Sequence, residues 1–300
     1  MSYQKTTITV FTPTYNRADL LYNLYSSLKL QTYKNFDWLI VDDGSTDKTR
    51  DVVESFKKEN ILNITYIKTK NKGKMQAINT GVNNCKTDLF FIVDSDDYIT
   101  ESAIEKLITS WTQEKSENLS GIIAMRGNVK TYTPIGGTML PEIKTETLYN
   151  LYNKYSYKGD LAVVYRTDVL KKFPFPYIEG EKFISEAYIW MKIDEHYKML
   201  ILRDIIYLCE YLDDGYTTNA KKLMLNNPKG YRLYYLQHAR MSQYLSRGLK
   251  IKRKIISIIK YIGFSIKAKE PIFRNNPYKI LTICLYPIGI AYRSIKLHER

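Results

Sequence analysis

The sequence predicts an α/β fold followed by a basic, helical tail, and three observations carry that reading. Strand-like apolar runs alternate with helix-like patterns across the first hundred residues, the signature of a sheet flanked by helices. Each of those runs empties into polar or charged residues. Net positive charge is confined to the far end: residues 221–300 hold 18 Lys and Arg against two acids, Glu270 and Glu299, a local net of +16 that exceeds the chain's +14 and leaves the body close to neutral at −2.

Residues 6–11 (TTITVF) read as a first strand that stops at Pro13. Asn16 is the expected N-cap of a helix reaching about Leu30, whose Leu20, Leu21, Leu24 and Leu28 recur at helical spacing. Residues 37–41 (DWLIV) form a second strand ending in Asp42-Asp43-Gly44-Ser45-Thr46-Asp47. Gly44 permits a tight turn there, and Ser45 or Asp47 caps a helix carrying Val52, Val53 and Phe56. A third strand over 63–67 leads into Asn71-Lys72-Gly73-Lys74 and a helix from Met75 to about Asn84.

The fourth strand, 89–93 (LFFIV), has no polar interruption, as expected of a strand buried on both faces. It delivers three carboxylates, Asp94, Asp96 and Asp97, with Ser95 between the first two. Open α/β sheets bind ligands at such strand ends. Two carboxylates one residue apart can reach a single hard divalent cation; a plain polar turn would use the same residue types. Residues 101–114 then read as an amphipathic helix with Ile104, Leu107, Ile108 and Trp111 on one face.

Composition excludes several classes. An apolar fraction of 44% with 25% charged residues is that of a globular protein. Cys85, Cys209 and Cys284 are far apart and lack histidines at ligand spacing, which argues against a disulfide framework or a zinc site and fits a reducing cytosol. The opening residues lack a basic stretch followed by an apolar core, so no secretory leader is expected.

Four segments together carry a resemblance: TPTYNR at 12–17, VDDGSTD at 41–47, NKGKMQAINTG at 71–81 and VDSDD at 93–97. In this order, at these strand ends, the chain resembles family 2 glycosyltransferases of the GT-A fold, a Rossmann-like mixed sheet flanked by helices, of the bacterial surface-polysaccharide type. The resemblance implies a nucleotide-sugar donor, usually a UDP-sugar. Thr12, Pro13, Tyr15 and Arg17 would line its base and ribose pocket, Asp43 would accept from the base edge, and Asp42 would support that loop. Lys74 would lie near the diphosphate, Ser95 within the donor site, and Asp94 at the ribose or metal. Asp96 would ligate Mn²⁺ or Mg²⁺.

A base for the acceptor hydroxyl is usually supplied by a Glu-Asp pair in the second half of such proteins. Here Glu186 holds the Glu position and Ala187 stands in place of the Asp, with Asp160 as the reserve candidate. His196 reads as structural. The family outcome is inversion, giving a β-linked product from an α-linked donor. A protein that kept the pocket and lost the base, and so binds sugar nucleotides or glycans without turnover, is the alternative reading. Residues 1–100 would be the nucleotide-sugar half, 101–225 the acceptor half, and 226–300 the tail. Tyr149, Tyr152, Tyr155 and Tyr157 would stack on sugars or fill the core, and residues 210–216 would lie near the active site.

In the tail, RGLKIKRK at 247–254 precedes short apolar stretches, the longest being 13 residues at 280–292 with Pro287 and Gly289 inside it. Crossing a bilayer takes about 20 apolar residues, so the tail is too short to span. Its basic and apolar character suits an anionic membrane surface on the cytoplasmic face, where a lipid-linked saccharide acceptor would wait. Nucleic acid is not an expected partner, since no known binding pattern is present. Packing of the tail against a second copy, as a homodimer, is the other reading.

Overall fold

The computed structural model describes residues 6–210 and 220–297. It comprises two compact units, Met1–Pro174 with His196–Glu210, and Phe175–Glu195 with Tyr211–Arg300. The segment 175–195, which the sequence reading set within the acceptor half, joins the helices of the tail because its own capping groups bond there.

The first unit is built on a mixed sheet. Its parallel part comprises β1 (Ile8–Thr14), β2 (Asp37–Asp42), β3 (Asn63–Lys68) and β4 (Leu89–Ile92). These are joined by α1 (Leu21–Lys29), α2 (Thr49–Glu59) and α3 (Lys74–Asn84). All seven residues of β1 are buried, as its unbroken apolar and Thr pattern requires, whereas the edge strand β3 exposes Asn63, Thr65 and Lys68. After β4 come β5 (Tyr98–Ile99), α4 (Ala103–Glu114), β6 (Leu119–Asn128), β7 (Thr145–Glu146), α5 (Leu148–Asn153), β8 (Leu161–Arg166), α6 (Thr167–Lys172) and β9 (Lys198–Cys209). The strand order is β3-β2-β1-β4-β8-β6-β9-β5, with β7 paired to β9. β8 runs antiparallel to both β4 and β6, so the sheet turns from parallel to mixed at β4.

Side-chain shape sets the layers. Trp38 of β2, Tyr25 of α1 and Phe56 of α2 stack in one aromatic column, Tyr25 lying 4.0 Å from Phe56. On the other side Phe11 stacks on Phe90 at 4.7 Å, and α3 passes so close that a Cβ on Gly81 would sit 2.2 Å from the Phe11 ring.

One expected cap is corrected. Asn16 does not begin α1; it takes a left-handed conformation (φ 51°) and the chain turns through Arg17 before the helix starts at Leu21. Its side chain is recruited by the next loop, accepting from the Thr46 N–H at 2.8 Å. Asp47 serves both loops: Oδ1 accepts from the Thr49 N–H at the start of α2, and Oδ2 from the Ala18 N–H.

The second unit is helical: α7 (Ala187–Asp194), α8 (Ala220–Asn226), α9 (Pro228–Met241), α10 (Arg247–Lys267) and α11 (Lys279–Lys296). Glu181 receives the Lys229 and Gly230 N–H groups at 2.7 and 2.8 Å, satisfying the exposed donors at the start of α9. Asn227 returns the favour to the Lys182 and Phe183 N–H groups. A core of Leu236, Ala239, Ile258, Tyr261 and Ile262 joins α9 to α10, and Gly289 of α11 leaves room for Ile262. The buried Arg232 guanidinium ties the bundle together through Ser265 Oγ, Tyr261 Oη and the Pro271 carbonyl. Among the described residues no helix is long and apolar enough to cross a membrane.

Two outcomes follow from this packing. Gly81→Ala is expected to lower stability by about 1–3 kcal/mol in urea unfolding, because the Phe11 ring is pinned by Phe90 and the small gain in helix propensity does not offset the overlap. His238 sits against Ser257 with Arg253 and Lys260 nearby, and burial and those cations push its pKa down to about 4. The unfolded chain therefore binds a proton that the folded chain refuses as pH falls from roughly 6.5 to 4, costing about 3 kcal/mol across that window. Urea midpoints as a function of pH should fall more steeply for the native chain than for His238→Gln.

Candidate active site

The chain leaves β1 toward β2 and β3 on one side, then lays β4 on the other. This reversal opens a crevice beyond the carboxyl ends of β1 and β4, the place where open α/β sheets seat ligands. Residues 12–17 and 94–97 emerge from those two ends, with 42–47 beside them because Asp42 pairs in register with Thr14.

The acidic loop after β2 is held from within. Asp42 is fully buried; its carboxylate accepts from the Ser45 N–H at 2.7 Å and from the Tyr66 hydroxyl at 2.5 Å. Asp43 accepts from the Lys72 and Gly73 N–H groups at 2.8 and 2.7 Å, which clamps the 71–74 loop to the loop after β2. Gly73 has φ 93°, a conformation that turns its N–H toward Asp43 and that side-chain-bearing residues rarely adopt.

α3 starts immediately after this clamp and so aims Lys74 across to the next strand end. Its ammonium lies 2.7 Å from Asp94 Oδ1. Burial pushes the Asp94 carboxyl up, but Lys74 and Arg126 together outweigh it and hold the group below the usual carboxylate range. Asp96 goes the other way: burial and the Asp94 charge raise it, against the pull of Arg17 and Lys74. Asp97 turns inward and is raised by burial and by Asp94. The Tyr207 hydroxyl donates to Asp97 Oδ2 at 2.5 Å and accepts from the Asp94 N–H at 3.0 Å. Behind it, the Arg126 guanidinium lies 4.0 Å over the Tyr207 ring, 3.9 Å from Asp97, and donates through Nε to the Leu161 carbonyl.

The structure therefore brings Arg17, Lys74, Asp94 and Asp96 into one electrostatic neighbourhood, with Asp42 and Asp43 shaping the adjoining loops. Tyr15 is exposed at the crevice edge, while Pro13 and Ser95 are buried. Thr12 is buried too, its hydroxyl accepting from the Trp38 indole, so it forms wall and not rim. Asp160 immediately precedes β8, and its carbonyl accepts from the Arg126 N–H at 3.4 Å. Tyr149 and Tyr157 are core residues; Tyr152 bonds the Gly159 carbonyl, and Tyr155 is exposed. His196 stacks on Phe173. Glu186 belongs to the second unit, at the start of α7, where its carbonyl accepts from Ile189 and Trp190. Of the segment 210–216, residues 211–216 lie outside the described residues.

Among the described residues no three or more His, Cys, Asp or Glu side chains converge to hold a metal ion. Asp94 and Asp96 supply two hard oxygen donors whose mutual repulsion a cation would relieve. That set fits a magnesium- or manganese-type ion, which is commonly held by one or two carboxylates together with a ligand's phosphates and not by a complete protein cage.

A family model described as glycosyl transferase family 2 matches residues 9–174, more than half of the chain and all of the strand ends just described. The chain belongs to glycosyl transferase family 2. Among curated relatives of this family, glycosyltransferase GlyA of Streptococcus pneumoniae is 30% identical over 188 residues, covering 62% of the chain. The chain spans about a quarter of that relative's length (26%). The GalNAc(5)-diNAcBac-PP-undecaprenol beta-1,3-glucosyltransferase of Campylobacter jejuni is 24% identical and aligns over 93% of the chain and 87% of its own length. The crystal structure of S. aureus TarS 1-349 in complex with UDP-GlcNAc superposes with a TM-score of 0.62 at 20% identity, over 96% of the chain and 92% of that structure. The fold is GT-A.

Two residues of this family 2 site were not legible as such in the sequence. Arg126 and Tyr207 come from β6 and β9, 32 and 113 positions from Asp94. A lone arginine closing the apolar run IIAM was the only local sign of either. Tyr207→Phe removes one donor and one acceptor and leaves Asp97 and the Asp94 N–H buried without that partner. It should cost about 1–3 kcal/mol in urea unfolding, more than Tyr→Phe at the exposed Tyr132.

Proposed function

We propose that this chain is a metal-dependent, inverting glycosyltransferase. It moves a sugar from a nucleotide donor, a UDP-sugar, to a lipid-linked or glycan acceptor in the synthesis of a bacterial surface polysaccharide. The observation that carries the reading is the meeting of Lys74 with Asp94, beside Asp96 and Arg17, at the reversal point of the sheet. A site with paired carboxylates and two cations matches a phosphate-bearing ligand that brings a divalent cation with it. Family membership supports the reaction class, and the undecaprenol-linked name of the Campylobacter relative supports the acceptor class.

In this reading Tyr15 offers an aromatic face to the base, and Asp43 accepts from the base edge. Arg17 and Lys74 face the diphosphate as fixed positive charge. Asp94 and Asp96 hold Mn²⁺ or Mg²⁺, which when bound stabilises negative charge on the departing diphosphate. Glu186 takes the proton from the acceptor hydroxyl as its oxygen bonds the anomeric carbon, and the bond to the diphosphate breaks with its electron pair leaving on UDP. A single displacement of this kind inverts the anomeric carbon.

The second unit supports a membrane-surface location on the cytoplasmic side. α11 exposes Ile280, Ile283, Ile288, Ile290 and Ile295, with no charged side chain between Ile280 and Tyr292. A water-facing helix surface is normally polar. The basic residues of the same unit suit anionic headgroups.

Transfer assays with a panel of UDP-sugars test the whole. Chelation should abolish turnover and Mn²⁺ or Mg²⁺ restore it, and Asp96→Asn should reduce it by about 100-fold or more. Glu186→Gln should lower kcat by about 10²–10⁴-fold with donor affinity by calorimetry unchanged. Donor binding with full turnover in Glu186→Gln would assign the base elsewhere, and donor binding with no turnover in the native chain would favour the binding-only alternative.

A further inference from the structure

Between α8, α10 and α11 the second unit has an open cleft of about 790 Å³ lined by Lys221, Lys260 and Lys296, with Met224, Tyr292, Ser294 and Ile295 also in its wall. No carboxylate among the described residues lies within ion-pair distance of any of the three lysines. Elsewhere in the chain lysines find acids readily, as Lys29 does at Glu59 and Lys144 at Glu114. Lys260 is half-buried, its ammonium 4.9 Å over the Tyr235 ring and 3.5 Å from the Tyr235 hydroxyl. Burial and the nearby Arg253 push its pKa down, the opposite of what a counter-ion would do. Among the described residues, then, three lysines line one opening and no acid pairs with them.

Which anion would suit such an opening follows from the wall the cleft shares with the apolar face. Ile295 lines the cleft and is itself 73% exposed, at the end of the stripe formed by Ile280 (80%) and Ile283 (62%) on α11. Cations gathered at the edge of an exposed apolar helix face match a molecule with a phosphate at one end and hydrocarbon at the other. Lysine ammonium groups bind phosphate as point charges with rotatable donors, so an accessible terminal phosphate suits them better than one shielded as a diester.

We propose that the Lys221–Lys260–Lys296 cleft is a headgroup site that seats the terminal phosphate of an anionic membrane lipid while the isoleucines of α11 enter the headgroup–acyl boundary. The site rests on the membrane-surface reading given above and adds headgroup selectivity to it. Diffuse attraction from basic residues reads only surface potential; a cleft reads the shape and charge of one group.

The full chain can be tested with an environment-sensitive fluorophore on Cys284, which is exposed on α11 while Cys85 and Cys209 are buried. Vesicles of phosphatidylcholine alone are compared with two sets matched in surface potential, one carrying phosphatidic acid, whose phosphate is a monoester, the other phosphatidylserine, whose phosphate is a diester. The native chain should prefer phosphatidic acid by about tenfold, roughly the worth of one or two lysine contacts. Lys260→Gln should abolish the preference, and so should the pair Lys221→Gln/Lys296→Gln, which alters exposed ends only. The charge-matched pair Arg247→Gln/Lys252→Gln at the start of α10 should weaken binding to both anionic sets equally and keep the preference. Equal affinity for the two anionic sets, or a preference surviving both cleft variants, would overturn the site and leave membrane docking standing. Failure to bind any vesicle would overturn membrane docking as well. If inorganic phosphate raises the thermal midpoint of the native chain but not of the cleft variants, and no headgroup preference is seen, the cleft takes a soluble anion and the lipid assignment is wrong.

Discussion

The first unit is organised around a problem of like charge. Asp94, Asp96 and Asp97 follow one buried strand within four positions, and each carboxylate raises the cost of ionising the next. Three partners from distant parts of the chain make the turn tolerable. Lys74 pairs with Asp94 from the front, Tyr207 bonds Asp97 and the Asp94 N–H from behind, and Arg126 lies over the Tyr207 ring. Asp96 is raised by burial and by the Asp94 charge, against the pull of Arg17 and Lys74. A divalent cation shared with Asp94 would relieve that repulsion, which is the physical root of the metal-binding proposal.

The loops beside this turn are braced by the protein's own hydrogen bonds. Asp43 spends its carboxylate on the backbone of the 71–74 loop, and that clamp sets the direction in which Lys74 leaves α3. Asp42 does the equivalent for its own loop through Ser45 and Tyr66. Acids that appear in the sequence as two similar acidic runs, after β2 and after β4, are therefore two structural braces, Asp42 and Asp43, one inward-facing carboxylate, Asp97, and a pair, Asp94 and Asp96, at the crevice. Preorganisation of this kind reduces the ordering cost of binding a flexible diphosphate.

The second unit solves a different problem, that of holding a strongly basic segment in a compact fold. Arg232 is buried by giving its donors to Ser265, Tyr261 and a backbone carbonyl, and most other cations are kept at the surface. Isoleucines exposed along α11 and lysines lining the cleft beside it are what this arrangement leaves at the surface. Both are what the proposed membrane docking would use.

The local signals were strong where a single stretch of chain carries the physics. Alternating strands and helices, the glycine before Lys74 and the acids after β2 and β4 declare themselves because burial on both faces demands apolar runs and turns demand small or polar residues. Family membership was legible for the same reason, in four short segments at strand ends. Other features depended on meetings across the chain. The sequence placed a cap at Asn16 that the neighbouring loop claims instead, and although the resemblance implied a mixed sheet, no local pattern was read as β6, β8 or β9. Arg126 and Tyr207 behind the carboxylates, and three lysines around one cleft, exist only because strands and helices far apart in sequence lie side by side. Local composition determines which segments form and what they carry; long-range packing decides which charges must share a space.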